Sequence, residues 1–158
     1  MNTHQPIDAA ALRTHSGLSL MQAMLAGELP RAPIARLMNM SGGEVGPGFV
    51  VFEGEPSGDH YNPLGTVHGG YAATLLDSCM GCAVHTTLPA GTGYTTIDLN
   101  ITYLKAMTAD TGKVFARGEV LSSGRRIATA RGTLTDSTGR LLATGTTTCL
   151  VFPIGKPA

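Results

Sequence analysis

The segment His68-Gly69-Gly70 opens the longest helical stretch of the chain and places two glycines at the predicted helix start. Backbone N–H groups in the first turn of a helix lack partners within the helix, and the helix dipole adds partial positive charge there. Because glycines leave these N–H groups sterically open, the segment could stabilise negative charge that develops on a carbonyl oxygen. The alternative is an ordinary loop-to-helix junction in which the glycines allow helix and sheet to pack closely.

A single carboxylate, Asp77, follows two turns later among apolar residues of the same helix. A carboxylate at this place could act as a general base or as a nucleophile. The alternative is a solvent-facing polar stripe, because Thr74, Gly81 and His85 recur at helical spacing with Asp77. An enclosed helix would favour the chemical role, since its polar stripe would not face solvent.

Two further groups of polar residues are candidates for binding a substrate. The first group is His68 and Gly70, which flank Gly69 at the predicted helix start. A histidine at this place is more often expected to orient the loop through hydrogen bonds. The second group is a turn between two predicted strands, and it consists of Ser122, Ser123, Gly124, Arg125 and Arg126. Its arginines are either solvated charges at a sheet edge or anchors for phosphate groups.

Other catalytic motifs are weak. Cys79 and Cys82 form a C-x-x-C pair, but they lie inside the predicted helix, whereas redox thiolates are favoured at helix N-termini. Further zinc ligands at suitable spacing are not evident, so we interpret the pair as small buried residues. The chain also contains no G-x-S-x-G elbow, phosphate loop or dinucleotide fingerprint.

The elements that would position these residues can be read from periodicity and turn signals. Asp8 or Ser16 could cap short helices near the N-terminus, which either close one end of the core or form a lid over a substrate tunnel. Strands are predicted at about 33–41, 48–55, 94–103, 112–122, 125–136 and 141–152, and a long helix at about 68–87. In the strand after Gly93, Ile97, Leu99, Ile101 and Tyr103 are expected on one face, and Thr96, Asp98, Asn100 and Thr102 on the other.

Small residues predict how helix and sheet pack. Alanine and glycine recur at period two in the last three strands, and the long helix is itself rich in glycine, alanine, serine and cysteine. Small side chains on both surfaces allow a close approach. We therefore expect an α+β fold in which one long central helix is wrapped by a curved antiparallel sheet of about six strands.

Composition excludes several classes of partner. Eleven basic residues balance eleven acidic residues, and aromatic residues make up 5 % of the 158-residue chain, so we expect no nucleic-acid partner. We also expect no membrane span and, from residues 1–15, no signal peptide. Three cysteines favour a reducing cytoplasm. Charged residues account for only 14 %, which favours burial of part of the surface in an oligomer.

The pattern Asn62-x-x-Gly65-x-x-His68-Gly69-Gly70 followed by Asp77 resembles the PaaI-type hotdog-fold acyl-CoA thioesterases. The similarity extends from about residue 32 to residue 152, which separates an N-terminal helical extension (1–31) from a hotdog thioesterase domain (32–158). The resemblance implies hydrolysis of an acyl-CoA to a carboxylic acid and free coenzyme A, without a metal or redox cofactor. Alternatives are a hotdog hydratase or dehydratase and a non-catalytic acyl-CoA-binding module on the same fold.

The resemblance also implies residue roles. Gly69 would supply the N–H that polarises the thioester carbonyl, and Asp77 would be the catalytic carboxylate. Asn62 would help to place the thioester or the attacking water, and Thr96 would orient that water. The segment from Ser122 to Arg126 resembles the family's coenzyme A contact.

Helix geometry adds one expectation about assembly. Gly69 and Asp77 are eight residues apart, which is roughly 12 Å along a helix axis at 1.5 Å per residue. One helix therefore cannot easily present both groups to a single carbonyl, but two antiparallel helices can. The sequence predicts a homodimer with shared active sites, each using Gly69 of one chain and Asp77 of the other; two such dimers could also associate.

Overall fold

A computed structural model describes residues 7–155 of the chain, and its centre is a six-stranded antiparallel sheet around one long helix. The strands are β1 (Met40–Gly46), β2 (Phe49–Gly54), β3 (Thr92–Tyr103), β4 (Val114–Ser123), β5 (Ile127–Asp136) and β6 (Leu141–Pro153). Their order in space is β1-β2-β4-β5-β6-β3, so β1 and β3 form the two edges. This is the α+β hotdog architecture that the sequence predicts.

Four α-helices and two short 3-10 helices, at Gly58–His60 and Ala109–Thr111, accompany the sheet in the described part of the chain. The α-helices are α1 (Ala9–Thr14), α2 (Gly17–Leu25), α3 (Pro33–Leu37) and α4 (Gly69–His85). The predicted caps are confirmed, because the Asp8 side chain accepts from the Ala10 N–H and the Ser16 side chain accepts from the Ser19 N–H. Helix α4 begins one residue after His68 and ends close to the predicted terminus.

The close contact between α4 and the sheet depends on glycines in register. Gly118, Gly132 and Gly145 are paired neighbours on β4, β5 and β6. A Cβ atom at Gly132 would lie 3.0 Å from Leu76 Cδ2, and one at Gly118 would collide with the backbone carbonyl of Cys79. The small-residue packing predicted from the sequence is therefore confirmed.

The predicted strand at 33–41 is wrong in its first half. Residues 33–37 form α3, with Pro33 at the first helical position, where its fixed φ is favourable and its missing N–H costs nothing. Strand β1 extends beyond the predicted end and contains Gly42 and Gly43. They lie inside β1 at a β-bulge, and the chain reverses at Gly46-Pro47-Gly48, where Gly48 has a φ of 78°.

The expected alternation in β3 is also wrong at one position. The pairing of Thr96 with Cys149 is followed directly by that of Asp98 with Thr148, so Ile97 is an extra residue in a bulge. A bulge shifts the side-chain alternation by one. As a result, Thr96 faces α4, on the same side of the sheet as Ile101, which contacts the inner face at Gly145.

The N-terminal helices pack onto this core. Leu20 and Met21 of α2 are 1 % exposed, and Met21 lies in an apolar cluster with Val50 and Ala83. The division between an extension and a domain at residue 31 stays a prediction, and residues 1–6 and 156–158 lie outside the described part. Between residues 7 and 155, no helix has both the length and the apolarity needed to cross a bilayer.

Candidate active site

The N-terminus of α4 presents one open backbone donor. Nδ1 of His68, the capping residue, accepts from the Gly70 N–H at 2.8 Å, and the His68 carbonyl accepts from the Tyr71 N–H at 2.9 Å. The Gly69 N–H has no acceptor among the described residues. A free N–H at the positive end of a helix is suited to bind an oxyanion.

His68 and Gly70 thus contribute to the geometry of this donor. The hydrogen bond between them caps the helix, which is the structural interpretation that the sequence favoured for His68. The His68 backbone N–H also donates to the His60 carbonyl at 2.8 Å and so fastens the preceding loop. Contact of either residue with a substrate stays a prediction.

The surroundings of Gly69 include an aromatic residue that the sequence reasoning missed as part of the site. A Cβ atom at Gly69 would lie 3.2 Å from Cε1 and Cζ of Tyr103, the last residue of β3. Both residues line an open cavity of about 310 Å³ together with Lys105. Tyr103 lies beside Gly69 because the end of β3 packs against the start of α4. No local signal in the sequence could have identified this contact.

Asn62 is engaged in its own loop. Its Oδ1 accepts from the backbone N–H groups of Leu64 (2.9 Å) and Thr66 (3.3 Å), and its Nδ2 donates to the Thr66 hydroxyl at 2.9 Å. These bonds hold the loop that leads into α4. The described contacts of Asn62 are thus all within this loop, and its role toward a thioester or a water stays a prediction.

Asp77 lies in the middle of α4. It is half-buried, and its Oδ1 accepts a hydrogen bond of 2.8 Å from the Thr96 hydroxyl. Oδ2 accepts no hydrogen bond from the described residues, so one carboxylate oxygen is held and the other remains available. This arrangement suits a group that must take a proton or attack a carbon.

The Asp77 carboxylate lines a cavity of about 260 Å³. Much of its wall comes from the N-terminal part of the chain and is apolar. The lining residues are Met21, Met24, Leu25, Arg31, Ala32, Ile34, Ala35, Met40, Ser41, Phe52, Asp77, Ser78, Cys82, Tyr94 and Thr96. Apart from Asp77 and Thr96, the sequence reasoning named none of these as site residues, because they come from six separate elements.

The other acidic groups beside Asp77 are held in their neutral forms. Burial, with a smaller contribution from the negative charge of Asp77, raises the pKa of the Cys82 thiol to about 11. Burial likewise raises the pKa values of Cys79 and of Tyr94 far above their usual ranges. The cysteine pair is therefore not a source of thiolate at this cavity, which leaves Asp77 as the candidate base.

Gly69 and Asp77 line different cavities of the same chain. This separation agrees with the helix arithmetic, which places them roughly 12 Å apart along α4. The two groups that the sequence assigns to one reaction are thus not brought together within one chain.

The candidate coenzyme A segment lies at the opposite end of α4 from Gly69. Ser123 Oγ is 2.8 Å from the hydroxyl of Thr87, which lies eighteen residues after Gly69, roughly 27 Å along the helix direction. The turn is closed by a hydrogen bond of 2.9 Å from the Gly124 N–H to the Ile127 carbonyl. Ser122 and both side chains of the Arg125-Arg126 pair are exposed, so these residues are accessible to a ligand.

Comparisons with known proteins agree with this architecture. Residues 64–143 match the family model of the thioesterase superfamily. The chain is 36 % identical over 101 residues to acyl-coenzyme A thioesterase 13 of Homo sapiens, covering 63 % of this chain and 70 % of that protein.

Two solved structures extend the comparison. A putative thioesterase of Ralstonia eutropha JMP134, described as phenylacetic acid degradation-related, superposes with a TM-score of 0.75 at 29 % identity. This match covers 82 % of the chain and 98 % of that structure. A hypothetical thioesterase of Streptococcus pneumoniae, solved with coenzyme A, has a TM-score of 0.63 at 28 % identity, covering 70 % and 86 %. The chain therefore belongs to the thioesterase superfamily and is a PaaI-type hotdog-fold thioesterase.

Proposed function

We propose that this enzyme hydrolyses acyl-CoA thioesters, with Asp77 as the catalytic carboxylate and the Gly69 N–H as the oxyanion donor. The observation that carries the proposal is the pairing of chemistries: an open N–H at a helix N-terminus and a carboxylate, held by Thr96, at an apolar cavity. The name of the human relative and the coenzyme A bound to the Streptococcus protein support the substrate class.

Two reaction schemes use the same residues. In the first, Asp77 takes a proton from a water whose oxygen attacks the thioester carbon. In the second, Asp77 Oδ2 attacks that carbon to form an anhydride, which water then hydrolyses. In both, the carbon–sulfur bond breaks, coenzyme A leaves as the thiolate and is protonated, and the Gly69 N–H stabilises the negative oxygen.

The remaining site residues position the reacting groups and the substrate. Thr96 orients the carboxylate and with it the attacking group. Asn62 holds the loop before α4 and places the thioester or the water, while His68 and Gly70 fix the direction of the Gly69 N–H. A carboxylate and an N–H donor supply the chemistry that thioester hydrolysis needs, so coenzyme A enters only as part of the substrate.

The working form in this proposal is a homodimer with composite sites, alone or as a dimer of dimers. Two antiparallel α4 helices would place Gly69 of one copy beside Asp77 of the other, which joins the two cavities. Large apolar side chains along β3 and just after it are exposed and support burial of this edge: Ile97 by 56 %, Leu99 by 37 %, Tyr103 by 55 % and Leu104 by 46 %. Within residues 7–155, no strand pairs with the edge of β3 that lies away from β6.

The segment from Ser122 to Arg126 is proposed to bind the phosphates of coenzyme A. Exposed guanidinium groups at a sheet turn can form bidentate bonds with phosphate oxygens. The free thiols of Cys79, Cys82 and Cys149 support a location in the reducing cytoplasm.

The first test is thiol release from a panel of acyl-CoAs, with Asp77→Asn as the diagnostic variant. We expect turnover to fall at least about a hundredfold in Asp77→Asn, the scale of a lost acid–base group, with unchanged circular dichroism. Asp110→Asn is the matched control, because Asp110 is an exposed carboxylate that lines neither cavity. Binding of acyl-CoA by the wild-type protein without any thiol release would instead identify a binding module.

The second test addresses the composite site. Asp77→Asn and Gly69→Val are each expected to be inactive, the latter because a side chain at residue 69 meets the Tyr103 ring. Mixed dimers would contain one site built from two unaltered residues, so activity should partly return after subunit exchange. No recovery despite exchange shown by mass spectrometry, or a fully active monomer, would overturn the shared site.

A further inference from the structure

We infer that the cavity beside Asp77 is an acyl pocket whose length is set by α2, so that the enzyme prefers apolar acyl groups of medium length. This inference rests on the proposed function, since it assigns the part of the substrate that lies beyond the thioester. It concerns residues that lie before the segment matched by the family model.

The cavity lining combines polar groups from α4 and β3 with apolar groups from α2, β1 and β2. Asp77, Ser78 and Thr96 supply the polar groups, whereas Met24, Met40 and Phe52 supply apolar groups. A thioester carbonyl beside Asp77 would direct its acyl group toward these apolar side chains, because burying them against hydrocarbon removes apolar surface from water.

The charges of the lining agree with an uncharged acyl group. Besides Asp77, the lining contains one charged side chain, Arg31, and that residue is exposed. An exposed arginine remains solvated at the rim of the pocket, so it does not make the interior polar. An acyl group that ends in a second carboxylate is therefore not the expected substrate.

The size of the cavity limits the acyl group. One water molecule occupies about 30 Å³ of liquid volume, so 260 Å³ admits roughly nine groups of that size, and a methylene group is similar. This predicts an optimum at about six to ten carbons, or at an arylacyl group of similar volume. A chain of about sixteen carbons exceeds this volume.

Helix α2 forms the wall that determines this limit. Met21 is fully buried against Val50 and Ala83, so it fastens the helix to the core. Met24 is half-buried and lines the cavity one turn later. The unbranched thioether of methionine adapts to irregular apolar ligands. Met24 is thus the specificity-determining residue on this wall.

The experiment measures kcat/KM for straight-chain acyl-CoAs of two to sixteen carbons. Met24→Ala should shift the optimum to longer chains and raise the ratio of kcat/KM for twelve carbons over eight by about tenfold, the discrimination typical of apolar pockets. Met24→Phe should shift the optimum to shorter chains. Gln22→Ala is the matched control, since Gln22 is exposed on the same helix and does not line the cavity.

A second measurement uses the unaltered protein and does not depend on turnover. Binding of a non-hydrolysable octyl thioether of coenzyme A should slow amide hydrogen exchange in residues 17–25, whereas coenzyme A alone should not. Equal protection by both ligands, chain-length profiles of Met24→Ala and Met24→Phe that match the wild type, or preference for sixteen carbons or for dicarboxylic acyl groups would overturn the inference. Absence of thiol release from every acyl-CoA would instead overturn the proposed function.

Discussion

The hydroxyl of Thr96 on β3 donates a hydrogen bond of 2.8 Å to Oδ1 of Asp77 in the middle of α4. The contact exists because the bulge at Ile97 separates Thr96 from the alternation of the rest of the strand and turns its side chain toward the helix. A threonine with one strongly restricted χ1 is a rigid donor. The bond thus fixes one oxygen of the carboxylate and leaves the other without a donor from the described residues.

We expect Thr96→Val to lower kcat about tenfold to a hundredfold with little change in KM. Valine keeps the shape of threonine but removes the donor, and a hydrogen bond to a charged group contributes about 1.5–3 kcal/mol. Thr96→Ser keeps the hydroxyl and should restore most of the activity. Steady-state kinetics on one acyl-CoA, with melting temperatures as a control, would test this; an unchanged kcat in Thr96→Val would exclude the positioning role.

Arg125→Ala and Arg126→Ala should raise KM for acyl-CoA with little effect on kcat. Contacts to a phosphate far from the thioester act equally on the ground state and the transition state. The increase in KM should shrink at high salt, because the arginines are exposed and screened. Arg117→Ala, which removes an arginine placed over the Phe49 ring, is a control for general loss of positive charge. A fall in kcat alone would contradict the binding role.

Alanine substitutions at Gly118 and Gly132 should lower the free energy of unfolding by different amounts. At Gly118 the new Cβ meets the backbone carbonyl of Cys79, which cannot move without distorting α4, whereas at Gly132 it meets the side chains of Leu76 and Met80. Gly118→Ala should therefore lower the free energy of unfolding by about 3 kcal/mol, and Gly132→Ala by about 1 kcal/mol. Urea denaturation at one protein concentration measures both.

Gly58→Ala provides the reference for these two variants. A Cβ atom there has no neighbour within 4 Å, and the residue does not adopt a positive φ. Its unfolding midpoint should stay near that of the wild type. If Gly118→Ala were as stable as Gly58→Ala, the close approach of helix and sheet would not depend on the glycines.

The turn between β5 and β6 should make stability depend on pH through Asp136. Hydrogen bonds from the Thr138 hydroxyl, from the Thr138 and Arg140 N–H groups and from the Arg140 side chain lower the pKa of Asp136 to about 2. A lowered folded-state pKa stabilises the fold above the ordinary value near 3.8, and this stabilisation is lost as pH falls through 2.

Asp136→Asn should therefore lower the melting temperature at pH 7, and the difference from the wild type should shrink between pH 4 and pH 2. Asp110→Asn, at an exposed carboxylate in a different turn, is the matched control. Thermal unfolding followed by circular dichroism across this pH range measures the effect. A difference that stays constant down to pH 2 would show that Asp136 acts through something other than its charge.

Local patterns in the sequence were sufficient for the architecture. The apolar and small residues of α4 and the period-two alanines and glycines of β4, β5 and β6 specify which faces meet, because side-chain direction follows directly from helix and strand periodicity. The same holds for the caps at Asp8 and Ser16 and for the donor at Gly69. These features depend on neighbours a few residues away.

Local sequence patterns could not predict the features that depend on pairing partners far away in the chain. The bulge at Ile97 arises from the register of β3 against β6, and a one-residue change in register reverses the face of every following side chain. Pro33 is typical of the first position of a helix such as α3, but a proline is equally compatible with an edge strand.

The sequence by itself determined the fold class and the two candidate groups of the site, since a helix start and a helical carboxylate are local properties. Only the tertiary structure decided that Thr96 holds Asp77 and that Met24 on α2 faces the same cavity. The physical reason is that a pocket wall is assembled from side chains far apart in the chain. Their meeting depends on how whole elements pack, which no short-range pattern encodes.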